Sequence, residues 1–236
     1  MKNFIFISPN FPTNYWMFCR ELKKNGLNVL GIGDQPYDEL KPELKDSLNE
    51  YYKVSNLENN DEVYRAVAFF IHKHGRIDWL ESNNEYWLER DARLRTAFHI
   101  TTGFQEDDIP NIKFKSRMKS FYQQAGIPTA PWQLSDTLEN ALKFVKKTGY
   151  PIVIKPDNGV GASNTFKIEN EEQLVNFFQN KENGVSYIME EYIFGEVNSY
   201  DAIFDSQGNP LFETEMSRRF LSWTLSTTMT TPYFTS

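Results

Sequence analysis

Residues 151–163, PIVIKPDNGVGAS, constrain this chain more than any other stretch. Ile152, Val153 and Ile154 predict a short strand, because β-branched side chains pack well on a pleated surface. The strand delivers Lys155, and Pro156 with Gly159 and Gly161 then ends the ladder. A lysine on rigid backbone beside a glycine loop suits a polyphosphate, with the ammonium as a point charge and loop amides as anion ligands. The same pattern also fits an ordinary hairpin turn. The two common glycine-rich phosphate motifs, G-x-x-x-x-G-K-[ST] and G-x-G-x-x-G, are both absent.

The segment 186–205, SYIMEEYIFGEVNSYDAIFD, reads as a strand, an acidic pair, a turn at Gly195 and a second, alternating strand. Glu190 and Glu191 with Tyr192 and Ile193 form a group able to clasp an adenine. A carboxylate and a backbone carbonyl would accept from the exocyclic amine, and Ile193 and Tyr192 would cover the ring. Glu196, just past the turn, is placed to accept from ribose hydroxyls. Binding sites for small molecules combine apolar walls with such a few placed polar groups.

Together with KFKSRMKSFYQQAGIPTAPW (113–132), these stretches resemble the ATP-grasp superfamily, most of whose members are ATP-dependent carboxylate–amine ligases. The resemblance implies roles for particular residues. Lys115 takes the place of the first phosphate-contacting lysine, at the start of a helix that ends in the AGIP turn. Lys155 takes the place of the second lysine. Gly159, Gly161, Ala162 and Ser163 match the phosphate-covering loop. Glu190, Glu191 and Ile193 match the adenine-binding hinge, and Glu196 matches the ribose acid. Three motifs in order are far more specific than any one of them.

The N-terminal part predicts βαβ units and a parallel sheet. MKNFIFISP (1–9) alternates as a strand, a helix over 14–25 stops at Gly26, and NVLGIGD (28–34) is a second strand. Residues 60–74 place Val63, Val67, Phe70 and Ile71 on one helical face. IDWLES (77–82) is a third strand, followed by a helix over 84–99. In such sheets ligands bind beyond the carboxyl ends of the strands, so the loops Ser8–Asn14, Gly33–Tyr37 and Ser82–Tyr86 are candidates for the acceptor substrate. Glu85 in the last of them reads either as an acceptor contact or as a solvated helix-start acid. In the middle of the chain, Asp136 with Glu139 and Asn170 with Gln173 predict two helix starts, with the Lys155 strand and a second strand near Thr165–Ile168 between them.

The resulting expectation is an α/β chain. A Rossmann-like pre-ATP-grasp domain (1–110) precedes an α+β ATP-grasp small lobe (111–190) and an incomplete large lobe (191–236). In the resembled family the magnesium-holding Glu and Asn lie near the end of the large lobe, and the chain ends at TTMTTPYFTS with no such Glu-x-Asn strand. Magnesium is therefore expected as a cofactor beside ATP, but its ligands and the catalytic residues are not found in these residues. The chain reads as the N-terminal part of a longer enzyme. Asp201 and Asp205 read as hairpin acids.

Composition narrows the class. With 236 residues and 40% hydrophobic content the chain can bury a core. No apolar run is long enough to span a membrane, and the start lacks a leader pattern. The one cysteine, Cys19, excludes an intrachain disulfide framework, suits a reducing, cytoplasmic compartment and reads as a core residue. A net charge of −7 without a basic stripe argues against nucleic-acid binding. Lys113, Lys115, Arg117 and Lys119 nevertheless cluster at one helix start, part of it as plain surface. His72 and His74 read as the cationic end of a helix rather than a metal pair.

The resemblance implies small-molecule carboxylate and amine substrates, with the carboxylate activated as an acyl phosphate. Alternatives are an ATP-grasp kinase or carboxylase with another acceptor, and a non-catalytic or truncated ATP-binding fragment. Apolar edges at Ala202–Phe204 and Leu211–Phe212 invite pairing, either as a homodimer or with a partner chain that supplies the missing lobe.

Overall fold

The computed structural model describes residues 1–159, 164–205 and 207–218. They form two compact units, Met1–Pro110 and a second that begins at Asn111.

In the first unit the chain runs through β1 (Asn3–Ile7), α1 (Trp16–Lys24), β2 (Asn28–Gly33), α2 (Pro42–Ser47), β3 (Glu50–Lys53), α3 (Asn60–His74), β4 (Trp79–Glu81) and α4 (Leu88–Ala97). The four strands pair in parallel in the order β3-β2-β1-β4. Every residue of β1 and β2 is buried. The reason is that helices cover both faces of a parallel sheet. Ile5, Ile7, Leu30 and Ile32 pack with Val63, Val67 and Phe70 of α3 on one side. Phe4, Phe6 and Val29 pack with Cys19 of α1 and Leu44 of α2 on the other. Each such fully buried side chain contributes about 1.5–3 kcal/mol. Gly31 permits the second packing, since a Cβ there would lie 2.9 Å from Leu48.

Several expected boundaries shift. The first helix begins at Trp16 rather than residue 14, and a short 3-10 turn, Glu85–Trp87, precedes α4. α2 and β3 were not singled out in the sequence, because EYYK is short and only half-buried at the sheet edge. Cys19 is buried as expected, and burial pushes its thiol up to about 12. His74 ends α3 with its Nε2 2.8 Å from the Glu50 carboxylate.

The boundary falls within α5 (Ile109–Lys113), and in the second unit α6 (Lys115–Gln124) leads into β5 (Trp132–Leu134), α7 (Leu138–Thr148), β6 (Ile152–Pro156), β7 (Phe166–Ile168), α8 (Glu171–Asn180) and β8 (Tyr187–Glu191). Their strands form an antiparallel sheet in the order β5-β8-β6-β7. One face, with Ile152, Ile154, Tyr187 and Met189, packs on Ala141 and Phe144 of α7 and on Leu174 and Phe177 of α8. Asn170 caps α8 by accepting from the Gln173 amide at 3.0 Å. The α7 cap is Thr137, one residue later than expected. Its hydroxyl accepts from the Asn140 amide, while Asp136 binds the Thr137 amide. β9 (Val197–Phe204) and β10 (Pro210–Arg218) form a separate antiparallel hairpin. Asp205 accepts from the Gln207 and Asn209 amides at its turn, and Ile203, Phe204, Leu211 and Phe212 are exposed. Among the described residues no helix is long and apolar enough to cross a membrane.

Candidate nucleotide site

The strand alternation that buries Ile152 and Ile154 against the helices turns Val153 and Lys155 to the opposite face. In β8 the same rule turns Ile188 and Glu190 to that face. The register sets Val153 opposite Glu190 and Lys155 opposite Ile188, so Lys155 and Glu190 are diagonal neighbours. Their ion pair follows: Lys155 Nζ donates to Glu190 Oε2 at 3.0 Å. Glu190 is only 9% exposed, and a second cation, Lys119 of α6, stands 3.5 Å from its other oxygen, Oε1. Oε1 is buried and accepts no hydrogen bond. On the neighbouring strand Trp132 sits opposite Glu190 in register, and its indole N–H is also buried without a partner. Buried polar atoms are seldom left so, and two beside one carboxylate mark a place where a ligand or water completes the bonding.

The loop after β6 is tied to the start of α6. Asp157 is 4% exposed, and its carboxylate accepts from the Ser116 amide at 2.8 Å and the Ser116 hydroxyl at 2.7 Å. Phe114, the residue at the helix entrance, offers no side-chain cap. Asp157 therefore caps α6 from across the unit, and its negative charge complements the helix N-terminus. Its carbonyl accepts from the Lys115 amide at 3.0 Å. Lys115 Nζ in turn donates to the carbonyls of Pro156 at 3.0 Å and Gly159 at 2.8 Å.

Of the residues expected at the site, these bonds join Lys155 to Glu190 and Lys115 to Gly159. Gly161, Ala162 and Ser163 lie outside the described residues. Glu191 follows Glu190 and so alternates to the other face of β8, where its amide donates to Pro131 at 3.0 Å. Ile193 and Glu196 are exposed on the stretch between β8 and β9, outside that cluster. There the Tyr192 and Phe194 rings meet edge-on at 4.8 Å, with the Lys167 ammonium over Tyr192. Three participants were not foreseen as site residues: Asp157 as a cap, Trp132, and Lys119, which the sequence left within a partly solvated cluster. Arg117 is the exposed member of that cluster, whereas the Lys119 side chain is 14% exposed. The signal for Lys119 was its spacing, since residues 115 and 119 share one helical face.

The first unit holds a second charged cluster. Asp91 is fully buried and accepts from the Ser82 amide at 2.9 Å. Burial pushes its carboxyl up to about 6 against that hydrogen bond. Arg95, 1% exposed, donates to the carbonyls of Leu80 and Phe104 and pairs with Glu81 at 3.2 Å. The Arg90 guanidinium lies 3.8 Å over the Trp87 ring. Glu85 is exposed in the turn before α4, as a helix-start acid would be. Among the described residues no group of three or more His, Cys, Asp or Glu is placed to hold a metal ion.

Comparison with known proteins is consistent with this geometry. Residues 113–216 match the family described as the carbamoyl-phosphate synthase L chain, ATP binding domain. The chain is 26% identical over 130 residues, half its length, to the arginine-specific carbamoyl phosphate synthase large chain of Halalkalibacterium halodurans, of which it covers 12%. It is 27% identical over 170 residues, or 71% of its length, to the L-arginine-specific L-amino acid ligase of Bacillus subtilis, of which it covers 40%. Among solved structures, the biotin carboxylase domain of Hydrogenobacter thermophilus 2-oxoglutarate carboxylase superposes with a TM-score of 0.69 at 22% identity, over 89% of this chain and 48% of that one. The L-amino acid ligase of Bacillus licheniformis gives 0.61 at 20% identity over the same shares. The chain thus spans less than half the length of these relatives. By the family model matched at 113–216 and by these relatives, the second unit of this chain is similar to the ATP-binding domains of the ATP-grasp superfamily.

Proposed function

We propose that this chain binds ATP on the Lys155–Glu190 face of its second unit and serves a ligase that activates a substrate carboxylate for attack by an amine. The observation that carries this reading is one carboxylate, Glu190, shared by two largely buried lysines, Lys119 and Lys155. A buried set with one cation in excess is completed by an anion, and a triphosphate supplies several. Lys155, at the end of β6, and Lys115, at the start of α6, are the cations that would neutralise phosphate oxygens. Phosphoryl transfer asks of the protein mainly such positioning and charge neutralisation. Glu190, Glu191 and Ile193 would hold the adenine, with Glu196 on the ribose and the loop from Gly159 through Gly161, Ala162 and Ser163 over the phosphates.

A relative and a solved structure named as L-amino acid ligases support the reaction class, and the carboxylate and amine substrates are proposed on that basis. Magnesium, which the superfamily implies, finds no ligand set among the described residues.

The test is Lys155→Ala, with ATP affinity read by calorimetry and folding read by circular dichroism. The expected outcome is a loss of about a hundredfold in affinity, since charge-assisted bonds are the strong ones, with the fold retained. Unchanged affinity would overturn the assignment. Phosphate release against panels of carboxylates, with and without amines, then separates a ligase from a kinase or carboxylase.

A further inference from the structure

We infer that Lys119 is a positioning residue that holds the Glu190 carboxylate in orientation while nucleotide is bound, and that it thereby sets a preference for a 6-amino over a 6-oxo purine. The inference rests on the nucleotide reading above and goes beyond it. Glu190 is 9% exposed and holds two cations, Lys155 on Oε2 at 3.0 Å and Lys119 on Oε1 at 3.5 Å. If Lys155 turns to the phosphates, Oε2 loses its partner. A carboxylate so buried needs a remaining partner to fix its orientation. Lys119 is then the cation that remains, and its side chain is buried enough, at 14% exposed, to matter.

The orientation of Glu190 decides what it can bind. A carboxylate only accepts hydrogen bonds, which suits the amine at position 6 of adenine. A carbonyl oxygen at the same position offers it no donor. A site built to pair with one of these groups rejects the other by leaving a buried polar atom unmatched. Lys119 reaches Glu190 from α6, one turn beyond Lys115, so the helix that carries the phosphate lysine would also carry the lysine that tunes base recognition.

The experiment compares ATP with inosine triphosphate, which carries oxygen at position 6, by calorimetry on the whole chain and on Lys119→Met and Lys119→Arg. The unsubstituted chain is expected to favour ATP, Lys119→Met to lose about tenfold or more of that preference, and Lys119→Arg to keep most of it. If Lys119→Met does not fold, Lys119→Gln is read in its place. A purely structural or phosphate-binding role predicts equal weakening for both nucleotides. An unchanged ratio in the methionine variant, an equal loss for both nucleotides, a loss also seen in the arginine variant, or no preference in the unsubstituted chain would each overturn the inference. Absence of ATP binding by the unsubstituted chain would overturn the nucleotide reading itself. Intact ATP binding with an unchanged ratio removes only the role of Lys119.

Discussion

Both units bury a cluster of charges beside their sheet, and the two clusters differ in how their charges balance. In the first unit Arg90 and Arg95 face Glu81 and Asp91, two cations for two anions. The Arg95 guanidinium spends its donors on the Leu80 and Phe104 carbonyls, fastening the α4 side chain to β4 and to the chain beyond α4. In the second unit Lys119 and Lys155 share the one carboxylate of Glu190. Buried polar atoms without hydrogen bonds occur in both, at Arg90 Nε and Nη2 and Asp91 Oδ1 in the first and at Trp132 Nε1 and Glu190 Oε1 in the second. A balanced cluster whose arginine is consumed by backbone carbonyls holds a fold together. A cluster with a cation in excess suits an anionic ligand, in line with the proposed nucleotide site. Burial alone would not have told them apart.

The contrast can be broken or sharpened by substitution. The largest effect is expected from Arg95→Met, which leaves Glu81 and two carbonyls without their donor. Removing one partner of a buried pair costs about 3–5 kcal/mol, so hydrogen exchange of the β1 and β4 amides should rise steeply while ATP affinity stays as it was. If nucleotide affinity fell equally, the division of labour between the clusters would be wrong.

Asp91 gives a pH-dependent test of the same cluster. Its folded carboxyl is raised to about 6 from an ordinary value of 3.8. The protonated form therefore stabilises the folded state, fully below about pH 4, and that contribution is lost as pH rises through about 6. Asp91→Asn has no proton to lose. Relative to the unsubstituted chain it should gain roughly 3 kcal/mol between pH 4 and pH 7 in denaturant unfolding followed on the first unit. A stability difference that does not vary with pH would mean that Asp91 is ionised throughout.

In the second unit Lys155→Ala should show the opposite division, with nucleotide affinity lost and stability altered by no more than about 1 kcal/mol, because it removes the excess cation rather than a balanced partner. A large loss of stability would place Lys155 with the structural cluster instead. The smallest effect belongs to Thr137→Ala, which deletes the α7 cap at a cost of about 1 kcal/mol and should leave both clusters untouched. The expected reading is a small shift in the unfolding midpoint at constant ATP affinity, and a change in affinity would couple the helix face to the site.

Much of this was legible in order along the chain. The β-branched run before Lys155, the acidic pair at Glu190 and the asparagine start of α8 each carry their own local signal, and each sits where that signal put it. The strand at Glu50–Lys53 carried none, because a short, half-buried edge strand shows neither alternation nor a continuous apolar run. The α7 cap was displaced by one residue because Asp136 and Thr137 can both accept from helix amides, and only the geometry chooses between them. The start of α6 was foreseen, but its cap was not. Asp157 lies 41 residues from Ser116, and no local spacing rule connects them.

By itself the sequence determined which residues are charged, which strands carry them and which side of each strand they share, because alternation in a strand and the turn of a helix are local properties of the backbone. Lys155 beyond an apolar strand and the ordered motifs around it were enough to point to ATP. Only the tertiary structure decided what those charges face. The β6–β8 register brings Lys155 diagonally to Glu190, α6 lays Lys119 against the same carboxylate, and Asp157 reaches back to close the helix. Register and helix docking are set by the fit of whole cores. An ion pair between residues 119 and 190 therefore has no trace in the neighbourhood of either one.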